Sequence, residues 1–156
     1  MKKSVPSNLE AHLGYWLRCL SNFVSHTFAE RLETQDVTVA QWVVLRTLYD
    51  ASGATLNQAA RQVGVDKSSL SRMVERLVHK GLVNRFEGDD RRSVGLSLTA
   101  SGEKMVLQLA ALADENDHAF FRTLSLKQRQ EFLKTIKHLL SANGWEATAR
   151  GRDRLE

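Results

Sequence analysis

The stretch that decides the fold runs from Thr55 to Thr99 and reads TLNQAARQVGVDKSSLSRMVERLVHKGLVNRFEGDDRRSVGLSLT. It opens with Thr55-Leu56-Asn57-Gln58, the pattern of a capping box. In such a box the Thr55 hydroxyl accepts from the Gln58 amide and the Gln58 side chain answers on the Thr55 N–H, so a helix begins at Leu56. Leu56, Ala59, Ala60 and Val63 recur at helical spacing, and Gly64 supplies the left-handed residue that stops a helix sharply. Asp66 then caps a second helix. Its apolar stripe is Leu70, Met73, Val74, Leu77 and Val78.

The other face of that second helix carries Lys67, Ser68, Ser69, Ser71, Arg72, Glu75 and Arg76. Short hydroxyls beside an arginine in the first turns of a helix can approach phosphates and base edges closely, and the amide end of the helix favours anions. Taken alone, such a face is also what a solvated amphipathic helix presents. The following residues bear on the choice. Lys80-Gly81 ends the helix, Leu82 to Phe86 reads as a strand, and Ser93 to Leu98 alternates apolar with small residues as a half-buried strand does. Between them lies Gly88-Asp89-Asp90-Arg91-Arg92, a turn-forming tip that projects guanidinium groups. Two helices across a tight turn, then a basic-tipped hairpin, are the parts of a winged helix-turn-helix. One helix of that shape enters a major groove, and an arginine on the tip suits a narrow minor groove. Read without the helices, Arg91 and Arg92 are a surface pair, one of them bridged to Asp90.

Asp90-Arg91-Arg92-Ser93, followed by Leu96-Ser97-Leu98-Thr99-Ala100-Ser101-Gly102, resembles the wing signature D-x-R-S, L-x-L-T-x-x-G of the multiple antibiotic resistance regulator (MarR) family. Leu77-Val78-His79-Lys80-Gly81-Leu82-Val83 is similar to that family's L-x-x-K-G-L-V. The resemblance covers the chain from about Leu9 to Asn143. It implies a dimeric DNA-binding repressor or activator, released from DNA by small aromatic compounds or by oxidants. Residue by residue, it implies that Arg92 is the minor-groove arginine, Asp90 its structural partner in the wing, and Ser68, Ser69, Ser71 and Arg72 the major-groove readers.

Charge is distributed in keeping with this reading. The 156-residue chain has a net charge of +4; residues 61–92 hold eight Lys/Arg against five Asp/Glu, while residues 1–60 hold five of each. Much of the excess therefore lies on the candidate DNA-binding element. The length and a 42% hydrophobic content fit one ordinary domain. Thr148 to Glu156 shows no apolar periodicity, and residues 145–156 are expected to be a disordered tail. No apolar run approaches the ~20 residues that cross a membrane, and the N-terminus lacks the apolar core of a signal peptide. A cytoplasmic protein at the nucleoid is expected, with no membrane partner.

The flanks read as helices. From Asn8 to about Glu33 the stripe Leu9, Leu13, Trp16, Leu17, Leu20, Val24 and Phe28 keeps helical spacing. Thr38-Val39-Ala40-Gln41 is a second capping box, opening a helix to about Ala51, and Ser125-Leu126-Lys127-Gln128 a third, opening one to Asn143-Gly144. A long helix is expected from Thr99 to Thr123. The fold class is thus mainly α with a small β-hairpin wing. Residues 1–156 form a single MarR-like domain, with the winged helix-turn-helix at 38–99 and dimerisation helices at 8–33 and 100–143. Those helices hold more apolar surface than a winged helix alone can bury, which predicts a homodimer on a pseudo-palindromic site of double-stranded DNA.

The sensing function is less legible. His12, Tyr15, Trp16, Arg18 and Cys19 cluster on the first helix, with Trp42 and Arg46 on the second. The resemblance implies a small aromatic carboxylate or phenolic ligand between the dimer helices and the winged domain, with Arg18 across its carboxylate through two parallel bonds. His12 lies about 240° around a helix from Arg18, so the two share a pocket only across a dimer. The alternatives are that the aromatics are core and Arg18 an ion pair. Oxidant switching through Cys19 is a rival mechanism, limited to an intermolecular disulfide or a sulfenate because the chain has one cysteine.

An enzyme is not expected, nor a cofactor. The five histidines show no HExxH or paired metal spacing, and no phosphate loop or nucleophile elbow appears. Asp114, Glu115 and His118 fit an exposed helix face better than a metal site. A winged helix that binds protein instead of DNA is the remaining alternative, separable by its tolerance to loss of Arg72 and Arg92.

Overall fold

All three capping boxes form. The Thr38, Thr55 and Ser125 hydroxyls accept from the N–H groups of Gln41, Gln58 and Gln128 at 3.1, 3.2 and 3.3 Å, and each glutamine side chain accepts the return bond at 3.1, 2.8 and 2.8 Å. They start three of the six helices in this computed structural model, which describes residues 6–87 and 93–144. The elements are α1 (Leu13–Leu32), α2 (Val39–Asp50), α3 (Leu56–Val63), α4 (Lys67–His79), β1 (Val83–Glu87), β2 (Val94–Leu98), α5 (Ala100–Phe120) and α6 (Leu126–Ala142). Gly64, at φ 80°, closes α3 in the left-handed conformation, and Asp66 caps α4 two residues later.

The hairpin is antiparallel, with Val83 opposite Leu98 and Glu87 opposite Val94. A third segment joins β2: the Leu96 N–H donates to the Ala54 carbonyl and the Gly53 N–H to the Leu96 carbonyl, both at 3.0 Å. The wing is thereby tied to the residues that lead into α3. Around this joint the core assembles from Leu32, Val44, Leu45, Leu48, Leu70, Val74, Leu77, Val83, Leu96, Val106 and Leu109, all nearly inaccessible to solvent. Helix α5 also runs along α1, held by the Phe23–Phe120 edge contact at 5.5 Å and by the Asn116 side chain, which donates to the Val24 carbonyl at 3.5 Å.

Several boundaries differ from expectation. The first helix is not continuous from Asn8: a 3-10 turn at Leu9–Ala11 is separated from α1 by His12, which is extended at φ −98° and ψ 120°. The Trp16 indole N–H takes the Glu10 carbonyl at 2.8 Å, holding the turn beside the helix. Helix α1 ends at Leu32, followed by a second 3-10 turn, Glu33–Gln35. Helix α5 ends at Phe120, three residues before the expected Thr123. Val78 leaves the buried stripe of α4, being 37% exposed on the last turn, beyond the reach of the core. The expected tail, 145–156, lies outside the described residues.

The start of α5 explains the T-x-x-G pattern. The Thr99 hydroxyl donates to the Gly81 carbonyl at 2.7 Å and accepts from the Gly102 N–H at 2.9 Å, while the Thr99 N–H donates to the Leu82 carbonyl at 3.1 Å. Gly102 is pressed against that carbonyl so closely that a Cβ would sit 2.0 Å from the Leu82 oxygen, a backbone atom that cannot swing away. Gly102→Ala is therefore expected to cost about 1–3 kcal/mol as an overpacked contact. Urea unfolding checks this: a midpoint equal to that of the parent would contradict the packing account.

Candidate nucleic-acid interface

Helix α4 is anchored along one face and open along the other. Leu70, Val74 and Leu77 are fully buried, while Lys67, Ser68, Arg72, Glu75 and Arg76 are exposed and Ser69 and Ser71 half-buried. The cap at its N-terminus is strong: Asp66 Oδ1 accepts from the Ser69 N–H at 2.8 Å and Oδ2 from the Ser69 hydroxyl at 2.5 Å. These two bonds, the hydroxyl first, hold the Asp66 carboxyl below its ordinary value. They also commit Ser69, so among the expected readers its proton goes to the cap.

The expected site residues separate into groups. Lys67, Ser68 and Arg72 share the exposed first turns of α4 with Ser71. Arg76, exposed one turn beyond Arg72, also lines a cavity of about 670 Å³ with Glu33, Asp36, Thr38, His79 and Lys80, at the corner between α1 and α2. There Lys80 Nζ bonds the Asp36 carbonyl and pairs with its carboxylate at 2.9 Å, tying the end of α4 to that corner. Asp90, Arg91 and Arg92 lie outside the described residues.

Two basic residues that the sequence reading passed over stand beside α4. Arg61 of α3 lines a groove of about 300 Å³ with Asn57, Val65 and Lys67, bringing two cations to the mouth of the helix turn. Arg85 of β1 donates to the Ser71 carbonyl at 3.0 Å and to its hydroxyl at 3.4 Å. Arg61 lies five positions before the Asp66 cap, so the net charge of the segment was its only signal. Arg85 is one residue of an alternating strand, and nothing local marks it.

The ligand candidates lie in two places. His12 precedes α1, its Nε2 3.0 Å from the Ser7 hydroxyl; Tyr15 and Trp16 meet edge to face at 5.3 Å, and Arg18 and Cys19 are exposed on α1. A hydrogen bond with Cys19 raises the Tyr15 phenol above its ordinary pKa. On α2, Trp42 packs edge-on against Phe28 at 6.3 Å beside the core, and Arg46 pairs with Asp50 and lies 5.5 Å from the Tyr49 ring centre. Among the described residues, no hydrogen bond, ion pair or ring contact joins the two places, and no group of three or more His, Cys, Asp or Glu could hold a metal. No described helix is long and apolar enough to cross a membrane.

Residues 37–94, from the corner before α2 to the start of β2, carry a MarR-family match. The chain is similar to the transcriptional regulator HosA of Escherichia coli, 28% identical over 120 residues that span 76% of this chain and 89% of the relative. It is also 25% identical over 138 residues to the regulator SarZ of Staphylococcus haemolyticus, covering 88% and 92% of the two chains. Among solved structures, a cysteine-to-serine variant of Escherichia coli MarR complexed with operator DNA superposes with a TM-score of 0.79 at 27% identity, over 86% of this chain and 99% of that one. The chain thus has a winged helix-turn-helix fold and is similar over most of its length to MarR-family transcriptional regulators.

Because its folded-state pKa is depressed, Asp66 stabilises the fold at pH above its unfolded value near 3.8, and that contribution disappears as pH falls through the folded value. Asp66→Asn keeps an acceptor for the Ser69 N–H but cannot titrate. Its unfolding midpoint should fall less steeply than the parent's on acidification below about pH 4. Identical acid limbs in a urea titration would contradict the assigned role.

Proposed function

We propose that this chain acts as a homodimeric repressor that reads a pseudo-palindromic operator in double-stranded DNA. The observation that carries the reading is helix α4: its inner stripe is locked into the core, and Lys67, Ser68 and Arg72 stand exposed on its first turns with Ser71 half-buried beside them. Ser69 supports them through the cap, and Arg61 and Lys67 suit the flanking phosphates. Arg92 is proposed as the minor-groove arginine with Asp90 as its structural partner, as the family resemblance implies, and Arg91 as a further DNA contact. Arg76, exposed one turn beyond Arg72, is kept among the proposed DNA contacts.

The dimer rests on apolar surface that one chain leaves in water. Leu13, Trp16 and Leu17 on α1 are 81, 52 and 49% exposed, and Leu133 and Leu139 on α6 are 52 and 49% exposed. No residue of α6 is buried. Interlocking of the helices in 8–33 and 100–143 with those of a second copy would cover this surface and set two α4 helices about 34 Å apart, one helical turn of DNA. The winged unit 38–99 then hangs from the paired helices, and the protein works at the nucleoid.

Selection of preferred sites from random DNA, followed by fluorescence anisotropy, tests the reading. A palindrome with half-sites one turn apart is expected, with binding that falls steeply as salt rises. Arg72→Ala should weaken it about tenfold. Binding that ignores both salt and Arg72 would favour a protein partner instead. Light scattering should give twice 17.6 kDa; a species of 17.6 kDa would overturn the dimer.

For release from DNA, the reading is a small aromatic or phenolic acid held by Arg18 with His12, Tyr15, Trp16, Trp42 and Arg46 around the dimer helices. The exposure of Cys19 on α1 carries a second reading, in which its oxidation is the signal. Operator complexes challenged separately with phenolic acids and with peroxide discriminate the two. Release by the acids that Arg18→Ala abolishes supports the first; release by peroxide that Cys19→Ser abolishes supports the second.

A further inference from the structure

Arg85 reaches from the middle of β1, where it pairs with Leu96, back to the helix that carries the exposed hydroxyls. Its Nη2 donates to the Ser71 carbonyl at 3.0 Å and to Ser71 Oγ at 3.4 Å. A guanidinium has donors only, so the bond to Oγ occupies a lone pair and leaves the hydroxyl proton free. A helical serine without such a partner commonly turns that proton inward to the carbonyl four residues earlier, which here belongs to Lys67. Arg85 competes with that inward rotamer by filling the acceptor side of the oxygen.

The geometry points to Arg85 as a positioning residue that presents Ser71 to DNA as a hydrogen-bond donor and so sets which base Ser71 reads. A donor at the major-groove edge selects an acceptor: guanine N7 or O6, adenine N7 or thymine O4. It finds nothing favourable at the cytosine amine. The same fork also joins β1 to α4, so the wing strand and the reading helix approach DNA as one body. This inference rests on the DNA-binding reading above and adds a specificity determinant to it.

The experiment is site selection from random DNA with five proteins: the parent, Arg85→Met, Arg85→Lys, Ser71→Ala, and Ser71→Ala combined with Arg85→Met, each Arg85 substitution compared with the protein that keeps Arg85 in the same Ser71 background. Methionine keeps the apolar stem and removes every side-chain donor, and melting curves that superpose on the parent's are the control that this exposed substitution leaves the fold intact. Arg85→Met is expected to lower discrimination about fivefold at one position in each half-site, the worth of a single hydrogen bond. Arg85→Lys should recover part of it, and in the Ser71→Ala background the Arg85 substitution should change no base preference. Equal weakening on all sequences, with a salt slope reduced by about one in both backgrounds, would overturn the proposal by making Arg85 a phosphate contact. An unchanged site for Arg85→Met would overturn it as well. Failure of the parent to select any site would instead sink the DNA-binding reading on which it stands.

Discussion

One junction holds the winged helix-turn-helix to the helix that leaves it: the packing of Thr99 and Gly102 on the Gly81–Leu82 peptide. Thr99 bonds both carbonyls of that dipeptide, and the bare α-carbon of Gly102 lets α5 start in contact with the Leu82 backbone. Through this contact the end of α4, the base of the hairpin and the first turn of α5 become a single rigid piece. Leu82, Val83 and Leu96 are buried beside it, and Val106 and Leu109 carry the core up α5.

Helix α4 is restrained at three further points, each from a different part of the chain. Asp66 caps its start, Arg85 grips Ser71 near its middle, and Lys80 past its end is bound to Asp36 at the α1–α2 corner. None of these exposed contacts is worth much singly in water. Together they define the tilt of the helix relative to the wing on one side and to α1 on the other. That is the geometry a regulator must control, because direct readout depends on presenting a few side chains to base edges at hydrogen-bonding distance.

The two halves of the molecule differ in how they use apolar residues. From α2 to the start of α5 the apolar stripes meet one another and disappear from solvent. Along the first half of α1 and all of α6 they do not, although Phe121 and Phe132 make a local contact at 6.5 Å. Burial of large aliphatic and aromatic side chains is the main stabilising term in folding, about 25 cal/mol per Å² of apolar surface. A chain that buries one set of stripes and leaves another in water fits the proposed pairing with a second copy.

What could be read from residues in order was local. The capping boxes at Thr38, Thr55 and Ser125, the stop at Gly64 and the cap at Asp66 all depend on bonds spanning three or four residues. Periodicity likewise selected Leu70, Val74 and Leu77 as the inner face of α4. It could not exclude Val78, because a stripe continues in sequence after the core has ended in space. The break at His12 was hidden for a related reason, since it follows from a tryptophan taking a carbonyl six residues back, outside helical pairing. Arg85 on Ser71, Lys80 on Asp36 and Asn116 on Val24 join residues 14, 44 and 92 positions apart. The sequence alone determined where elements start, what they are and which face turns inward, because those properties arise from neighbours. Tertiary structure alone decided which of the polar residues left over meet one another, because that depends on how finished elements pack.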